Sequence, residues 1–372
     1  MRALTPLDAT KPIAQIEQHV VQQLLSPAAW AQYLKGDVGH NELRPFIQEL
    51  KRLSDAYTQH SVGTKLPQLI KSELSAQAYA LYYLAINAAK MLHLTPHITS
   101  NKETLRVLDF GSGPGTASLA LLASLKQPLN ITCVESSQPM RAVAKKLLSS
   151  WNAGKSLADL SFVSHLPTSN TASYDVIVAA NALAELSEAE SQALITHLTS
   201  MVAPDGFLIL LEPGQQLHSR RLMRFRDGLA KTSPKLTPLF PCTRADICPM
   251  LKASETDWCH STIEWAQPKL SRQLDAMLSF NKHRIKFCAF VFQHGGQLRP
   301  GMRVITPPFK MLRGTAVTLC GEGLYSVVLI KKGQRSEGTR ALEKAAVHDR
   351  LLFSQRPTKE LPKSIMITPL PL

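Results

Sequence analysis

Three of the six cysteines in this 372-residue chain fall within "PCTRADICPMLKASETDWCHS", residues 241–261: Cys242, Cys248 and Cys259. A fourth, Cys320, follows in "GTAVTLCGEGLY". Thiols at this density serve as packing, as a disulfide, as a nucleophile, or as ligands to a metal. The N-terminus has no basic stretch leading into an apolar one and carries acids early (Asp8, Glu17), so no secretory signal is read. The expected compartment is the cytoplasm, where structural disulfides are rare. Metal binding or catalysis is left. Five residues separate the first pair, ten the second, and sixty lie between Cys259 and Cys320. That spacing is looser than the two Cys-x2-Cys knuckles of a zinc ribbon. Four thiolates arriving from loops suit the corners of a cuboidal cluster. On the residues alone, an iron–sulfur cluster and zinc both stay open. Cys133 in "LNITCVES" and Cys288 in "KFCAFVFQ" sit in apolar runs and read as small hydrophobes. His260 adjoins Cys259, so both side chains would not easily reach one metal, and His260 is expected outside the ligand set.

A second constellation is "VLDFGSGPGTAS", residues 107–118. Gly111, Gly113 and Gly115 allow a tight turn and close approach of a ligand to the backbone. Asp109 precedes the first glycine, Ser112 lies between the first two, and Glu135 ends the next strand twenty residues after Gly115. A carboxylate there accepts from both ribose hydroxyls of an adenosine-containing cofactor. Asp109 would oppose a pyrophosphate but suits a ligand with an ammonium group. S-adenosylmethionine is therefore expected, on Asp109, Gly111, Ser112, Gly113, Gly115 and Glu135, in preference to a nicotinamide or flavin. Its sulfonium is already activated, so catalysis reduces to placing an acceptor in line with the methyl group. Asn181 in "VAANALAEL" is the candidate catalytic residue, at the end of the fourth strand. Its competing role is a helix cap. The Asn/Asp-Pro-Pro-aromatic tetrapeptide of amino-group methyltransferases is absent there.

The elements that must position these residues change along the chain. Residues 1–98 read as a helical region, with apolar residues three and four apart in "IAQIEQHVVQQLLS" and "SAQAYALYYLAINAAKMLHL". From 99 to 235, strand-like runs alternate with helical ones, which predicts an α/β Rossmann-like sheet, mainly parallel. Residues 236–285 form a Cys-rich metal-binding insertion with no sustained period. Residues 286–350 hold a last sheet strand, "KFCAFVFQ", and a small antiparallel β module turning at Gly321-Glu322-Gly323. Residues 351–372, ending "SIMITPLPL", read as a tail. No apolar run is long enough to span a membrane.

The charge is segregated. Residues 1–219 carry 16 Lys+Arg against 17 Asp+Glu, and residues 220–372 carry 26 against 11. An excess confined to one part of the chain marks a polyanion-binding surface, nucleic acid in preference to an anionic membrane because no basic amphipathic helix with a broad aromatic face stands out. Candidates are Arg220, Arg221, Arg224, Arg272, Lys282, Arg284, Lys331 and Lys332, within residues 220–350.

"VLDFGSGPGTASLA", "YDVIVAANALAEL", "LLEPG", "PCTRADICPM", "DWCH" and "VTLCGEGLY" occur in an order that resembles one family, over roughly residues 70–350. It is the methyltransferase-like family associated with the mitochondrial small ribosomal subunit, which has bacterial members. The resemblance implies a bacterial member with a class I methyltransferase fold. It also implies binding to small-subunit ribosomal RNA and a 4Fe–4S cluster rather than zinc on Cys242, Cys248, Cys259 and Cys320; off the ribosome the chain is expected to be monomeric. Two functions follow: an rRNA methyltransferase using S-adenosylmethionine, or a non-catalytic ribosome assembly factor using the fold as a scaffold. The chain departs from the family's Pro-Cys-Pro-His at Thr243 and Arg244. A Pro-Cys nucleophile of the cytosine carbon-5 type is disfavoured, because Cys242 lies far beyond the fifth strand. Radical chemistry is disfavoured by the absence of a Cys-x3-Cys-x2-Cys triplet.

Overall fold

The computed structural model describes residues 6–59, 69–151, 157–166, 173–333, 336–361 and 364–370. The N-terminal five residues and the last two of the expected tail lie outside the described residues. Two compact units form: residues 4–215 with 260–288, and residues 216–259 with 289–372. Elements are numbered along the chain.

In the first unit, α1 (Pro6–Leu24), α2 (Pro27–Lys35), α3 (His40–Gln59) and α4 (Glu73–Leu94) precede the sheet. The composition of α4 explains its place. It is Ala- and Leu-rich, with buried positions on every face, as a core helix requires. Ser72 caps it by accepting from the Ser75 amide at 3.1 Å. The strands are β1 (Leu105–Phe110), β2 (Leu129–Val134), β3 (Leu157–Val163), β4 (Tyr174–Ala180) and β5 (Val202–Pro213). Between them run α5 (Thr116–Ser124), α6 (Gln138–Ser149) and α7 (Glu188–Ser200).

The strand order is β3-β2-β1-β4-β5, continued by β8 (Arg284–His294). Neighbours among β1 to β5 are parallel. Strand β4 is buried at almost every position, the pattern of a sheet covered on both faces. The order reverses between β1 and β4, which opens a crevice at their C-terminal ends, where such sheets bind ligands. The α/β Rossmann-like expectation is therefore met, and "KFCAFVFQ" is a strand of this sheet. The unit is completed by β7 (Ser261–Glu264), antiparallel to β8, and α10 (Lys269–Leu278).

The second unit contains α8 (Gln216–Thr232), β6 (Leu236–Phe240) paired with the later half of β8, and the short α9 (Pro249–Ala253). Its own sheet is antiparallel. It comprises β9 (Met302–Val304), β10 (Phe309–Met311), β11 (Gly314–Gly321), β12 (Leu324–Lys331), β13 (Arg350–Phe353) and β14 (Ile367–Leu370), with α11 (Glu337–Glu343) between β12 and β13. The path is β10-β11-β9-β13-β14, with β12 along β11. Two readings differ from what forms. The stretch read as a tail supplies β14, because Ile365 and Ile367 enter the same core as Val304, Val317, Leu319 and Leu351. The stretch read as one Cys-rich insertion divides after Cys259, its later part joining the first unit.

One buried carboxylate joins distant segments of the first unit. Glu17, 2% exposed, accepts from the Leu270 amide, the Ser271 amide and hydroxyl, and the Tyr33 hydroxyl, all within 3.0 Å. Burial raises its pKa, and these bonds oppose the rise. Replacing Glu17 by Ala strands four donors in the core. The Glu17→Ala protein should lose roughly 3 kcal/mol of unfolding free energy, read from its urea midpoint; an unchanged midpoint would show that the donors find other partners.

Candidate functional site

Strand β1 delivers the chain to the crevice at Asp109 and Phe110. The Gly111 and Ser112 amides then donate to the Val134 carbonyl at 2.8 and 3.1 Å, which fastens the loop to the end of β2. Glu135 makes the second fastening: Oε2 accepts from the Gly113 amide at 2.9 Å and Oε1 from the Ser137 amide at 2.7 Å. Burial raises the Glu135 pKa against these bonds. Asp109 faces the other way. Its Oδ2 accepts from the Ser118 amide and hydroxyl at 3.1 and 2.6 Å, holding the first turn of α5. Burial pushes its pKa up to about 6.

Gly111 has a positive φ of 66°, and a Cβ there would lie 2.7 Å from that of Ala182. Only glycine permits this approach of the loop to the segment after β4. That segment begins at Asn181, itself at φ 56°, whose amide donates to the Leu211 carbonyl at 2.7 Å. Glu212, at the end of β5, accepts from the Leu183 and Ala184 amides at 2.8 and 3.1 Å. Asp109, the glycine loop, Glu135 and Asn181 therefore gather at one edge of the sheet.

Three residues not singled out from the sequence adjoin them. Lys90 is buried in α4 and donates to Asn87 Oδ1 at 2.8 Å. Burial drives its pKa down to about 8, against the attraction of Glu212. The phenol of Tyr79 receives the Asn87 amide at 3.4 Å, and its own pKa is raised by burial and by the nearby Glu185 and Glu135 charges. A lysine inside an otherwise apolar helical run was the available signal.

The second unit brings all four expected cysteines to one cavity, lined also by Arg226, Thr243, Arg244, Met250, Phe290 and Arg303. Cys242 follows β6, Cys248 precedes α9, Cys259 closes the loop segment and Cys320 lies on β11. The Cys248 amide donates to both oxygens of Asp227, at 2.9 and 3.1 Å, and the Cys259 amide to Met223 Sδ at 3.2 Å. Arg226 Nη1 pairs with Asp227 at 2.8 Å, and its guanidinium also donates to the Asp246 and Arg244 carbonyls, pinning the loop between Cys242 and Cys248. Arg303 Nη2 donates to Cys259 Sγ at 3.1 Å. Gly321, at φ 145°, has Thr243 Oγ1 where a Cβ would intrude, 2.8 Å away.

Desolvation pushes the Cys248 thiol up to about 11 and the Cys320 thiol up to about 12, and it raises Cys242 against the pull of Arg226. Among the described residues no three His, Cys, Asp or Glu side chains close on the position of a single ion. The donor set is nonetheless suited to a larger sulfur-ligated group. It offers four thiols, three arginine side chains, and buried polar atoms without partners in Thr243, Arg226 and Arg303. Cys133 and Cys288 are buried in strands, as expected for packing.

The basic residues divide. Arg224, Arg272, Lys282 and Lys332 are exposed. Arg284 pairs with Glu264 at 3.4 Å and Lys331 with Glu360. Arg220 is spent on the Ser254 and Asp257 carbonyls. Arg221 is buried, its guanidinium 5.5 Å above the Phe225 ring, and does not belong to a surface.

A family model described as mitochondrial small ribosomal subunit Rsm22 matches residues 74–349. No curated protein matches the sequence. Among solved structures, the chain is similar to the N-methyltransferase NodS of Bradyrhizobium japonicum in complex with S-adenosyl-L-homocysteine. The identity is 12%, covering 76% of this chain and 99% of that one, with a TM-score of 0.33. It is also similar to the magnesium protoporphyrin IX methyltransferase of Synechocystis with bound S-adenosylhomocysteine (13% identity, 58% and 84% covered, TM-score 0.35). A third is an S-adenosylmethionine-dependent methyltransferase of Methanosarcina mazei (16%, 54% and 96%, TM-score 0.32). These likenesses are loose, and the fold assignment stands on the strand order itself.

The raised pKa of Asp109 has a defined sign in stability. The folded chain binds this proton more tightly than the unfolded chain, so the contribution is complete below 3.8 and is lost as pH rises through about 6. Asp109→Asn stays neutral throughout. Relative to that variant, the wild-type chain should lose roughly 2–3 kcal/mol between pH 4 and pH 7, measured by urea unfolding at each pH.

Proposed function

We propose that this chain, which belongs to the mitochondrial small ribosomal subunit Rsm22 family, binds S-adenosylmethionine in the crevice between β1 and β4 and acts on small-subunit ribosomal RNA. The observation that carries the cofactor reading is the clasp of Glu135 on Gly113, at the point where the strand order reverses. An ionised carboxylate has about four lone-pair sites. Two receive backbone amides here, which leaves others for ribose hydroxyls. When bound, S-adenosylmethionine supplies an activated methyl group; the chain's work is placement.

Gly111 and Gly113 would lie against the amino-acid end, with Asp109 supporting the loop through Ser118. Asn181, held in a left-handed conformation, would position the acceptor, with Lys90 and Glu212 as the charged groups behind it. The basic residues of 220–350 that remain exposed would meet the RNA. No described helix is long and apolar enough to cross a membrane, and the cytoplasm is the compartment this reading favours.

The second part of the proposal concerns Cys242, Cys248, Cys259 and Cys320. These would hold a 4Fe–4S cluster, with zinc as second choice. The group would be structural, tying residues 242–259 to β11. Support comes from the four thiols around one cavity and from the cationic side chains among them.

Calorimetry should show S-adenosylmethionine binding that weakens by about 1–3 kcal/mol in Glu135→Ala, and labelled methyl groups should pass to small-subunit rRNA. Binding to that RNA that weakens steeply with salt, without transfer of label, would favour the non-catalytic assembly factor instead. Unchanged affinity in Glu135→Ala would overturn the crevice assignment.

The thiol assignment has its own test. Protein purified without oxygen should be brown with about four irons per chain, and Cys320→Ser should lose most of them. Stoichiometric zinc in that preparation would replace the cluster.

A further inference from the structure

Two arginines stand buried beside the thiols, and a guanidinium withdrawn from water costs several kcal/mol unless negative charge answers it. Arg226, 3% exposed, has Asp227. Arg303, 4% exposed, has no carboxylate partner among the described residues. Its guanidinium reaches His348 Nδ1 at 3.2 Å and Cys259 Sγ at 3.1 Å. Moreover, the Nε atoms of Arg226 and Arg303 and the Oγ1 of Thr243 are all buried without a hydrogen-bond partner. All three side chains line the same cavity. Each such donor costs about 1–3 kcal/mol if left unanswered. Three around one cavity, beside the Arg303 cation that no carboxylate answers, specify an occupant that is negatively charged and accepts hydrogen bonds.

We propose that Arg226, Arg303 and Thr243 form a counter-charge cradle for an iron–sulfur group held by the four cysteines, and that Arg303, donating to Cys259, raises its reduction potential. The proposal rests on the cluster reading above. A cuboidal cluster with four thiolates carries a net charge of about −2 when oxidised and one more negative charge when reduced. A fixed cation in a low-dielectric site stabilises the reduced form more than the oxidised one. Hydrogen bonds to the sulfurs act in the same direction. Arg303, Arg226 and Thr243 are thus positioning residues that act through the sulfur group.

The test is a dithionite titration of the full chain, purified without oxygen and followed by electron paramagnetic resonance. The midpoint should fall from wild type to Arg303→Lys, which keeps the charge but loses the planar fork, and further to Arg303→Met. It should also fall in Thr243→Val, which loses only a hydroxyl. Should Arg303→Met shed its iron, the comparison passes to Arg303→Lys and Thr243→Val. Variants that retain iron at the wild-type midpoint overturn the cradle and leave the cluster standing. A wild-type chain without iron removes both.

Discussion

A guanidinium sealed from water needs acceptors inside the protein, and Arg303 reaches Cys259 Sγ and His348 Nδ1. The consequences run through the second unit. Arg303 lies on β9, where its backbone stands opposite Cys320 of β11 and Arg350 of β13. Its side chain extends to Cys259, 44 residues away in sequence. One residue therefore ties the centre of the antiparallel sheet to the loop that carries the other thiols. Arg226 does the matching work from α8, holding the carbonyls of the loop between Cys242 and Cys248. Both cations are costly to bury. The cavity between them sets these cations among the thiols and the apolar side chains of Pro249, Met250 and Phe290.

The first unit uses the opposite sign for the same end. Asp109, Glu135 and Glu212 are buried carboxylates, and each accepts from backbone or side-chain donors of a neighbouring loop or helix turn. They fasten the glycine loop, the first turn of α5 and the segment after β4 to strand ends that the sheet already holds. A crevice made of loops thereby acquires the rigidity of the sheet, which the proposed in-line methyl transfer would need more than an acid or base. Gly111 completes the arrangement, since any side chain there would push the two walls apart.

The charge excess of the C-terminal part also takes a different meaning. Read along the chain, it suggests a uniformly basic face. In the fold, Arg221, Arg226 and Arg303 are interior, and Arg220, Arg284 and Lys331 are engaged with carbonyls or carboxylates. What is exposed for a polyanion is a sparser set, among it Arg272, Lys282 and Lys332.

Local pattern in the sequence was sufficient for the alternation of strands and helices, the glycine loop with Glu135 one strand later, and the antiparallel module after residue 300. Each of these depends on residues within about one element of each other, where periodicity and turn chemistry act. Other features were decided only by the tertiary structure. The clasp of Glu17 on Ser271 spans 254 residues, and the contact of Arg303 with Cys259 spans 44. The strand beginning at Ile367 exists because β13 pairs with it and a shared core receives Ile365 and Ile367. The interior place of Arg221, the division after Cys259 and the nearness of Lys90 to Glu212 are of the same kind. A charge or an isoleucine is the same letter whether it meets solvent or a partner. Which of the two it meets is settled by burial, and burial depends on chain segments that periodicity does not connect.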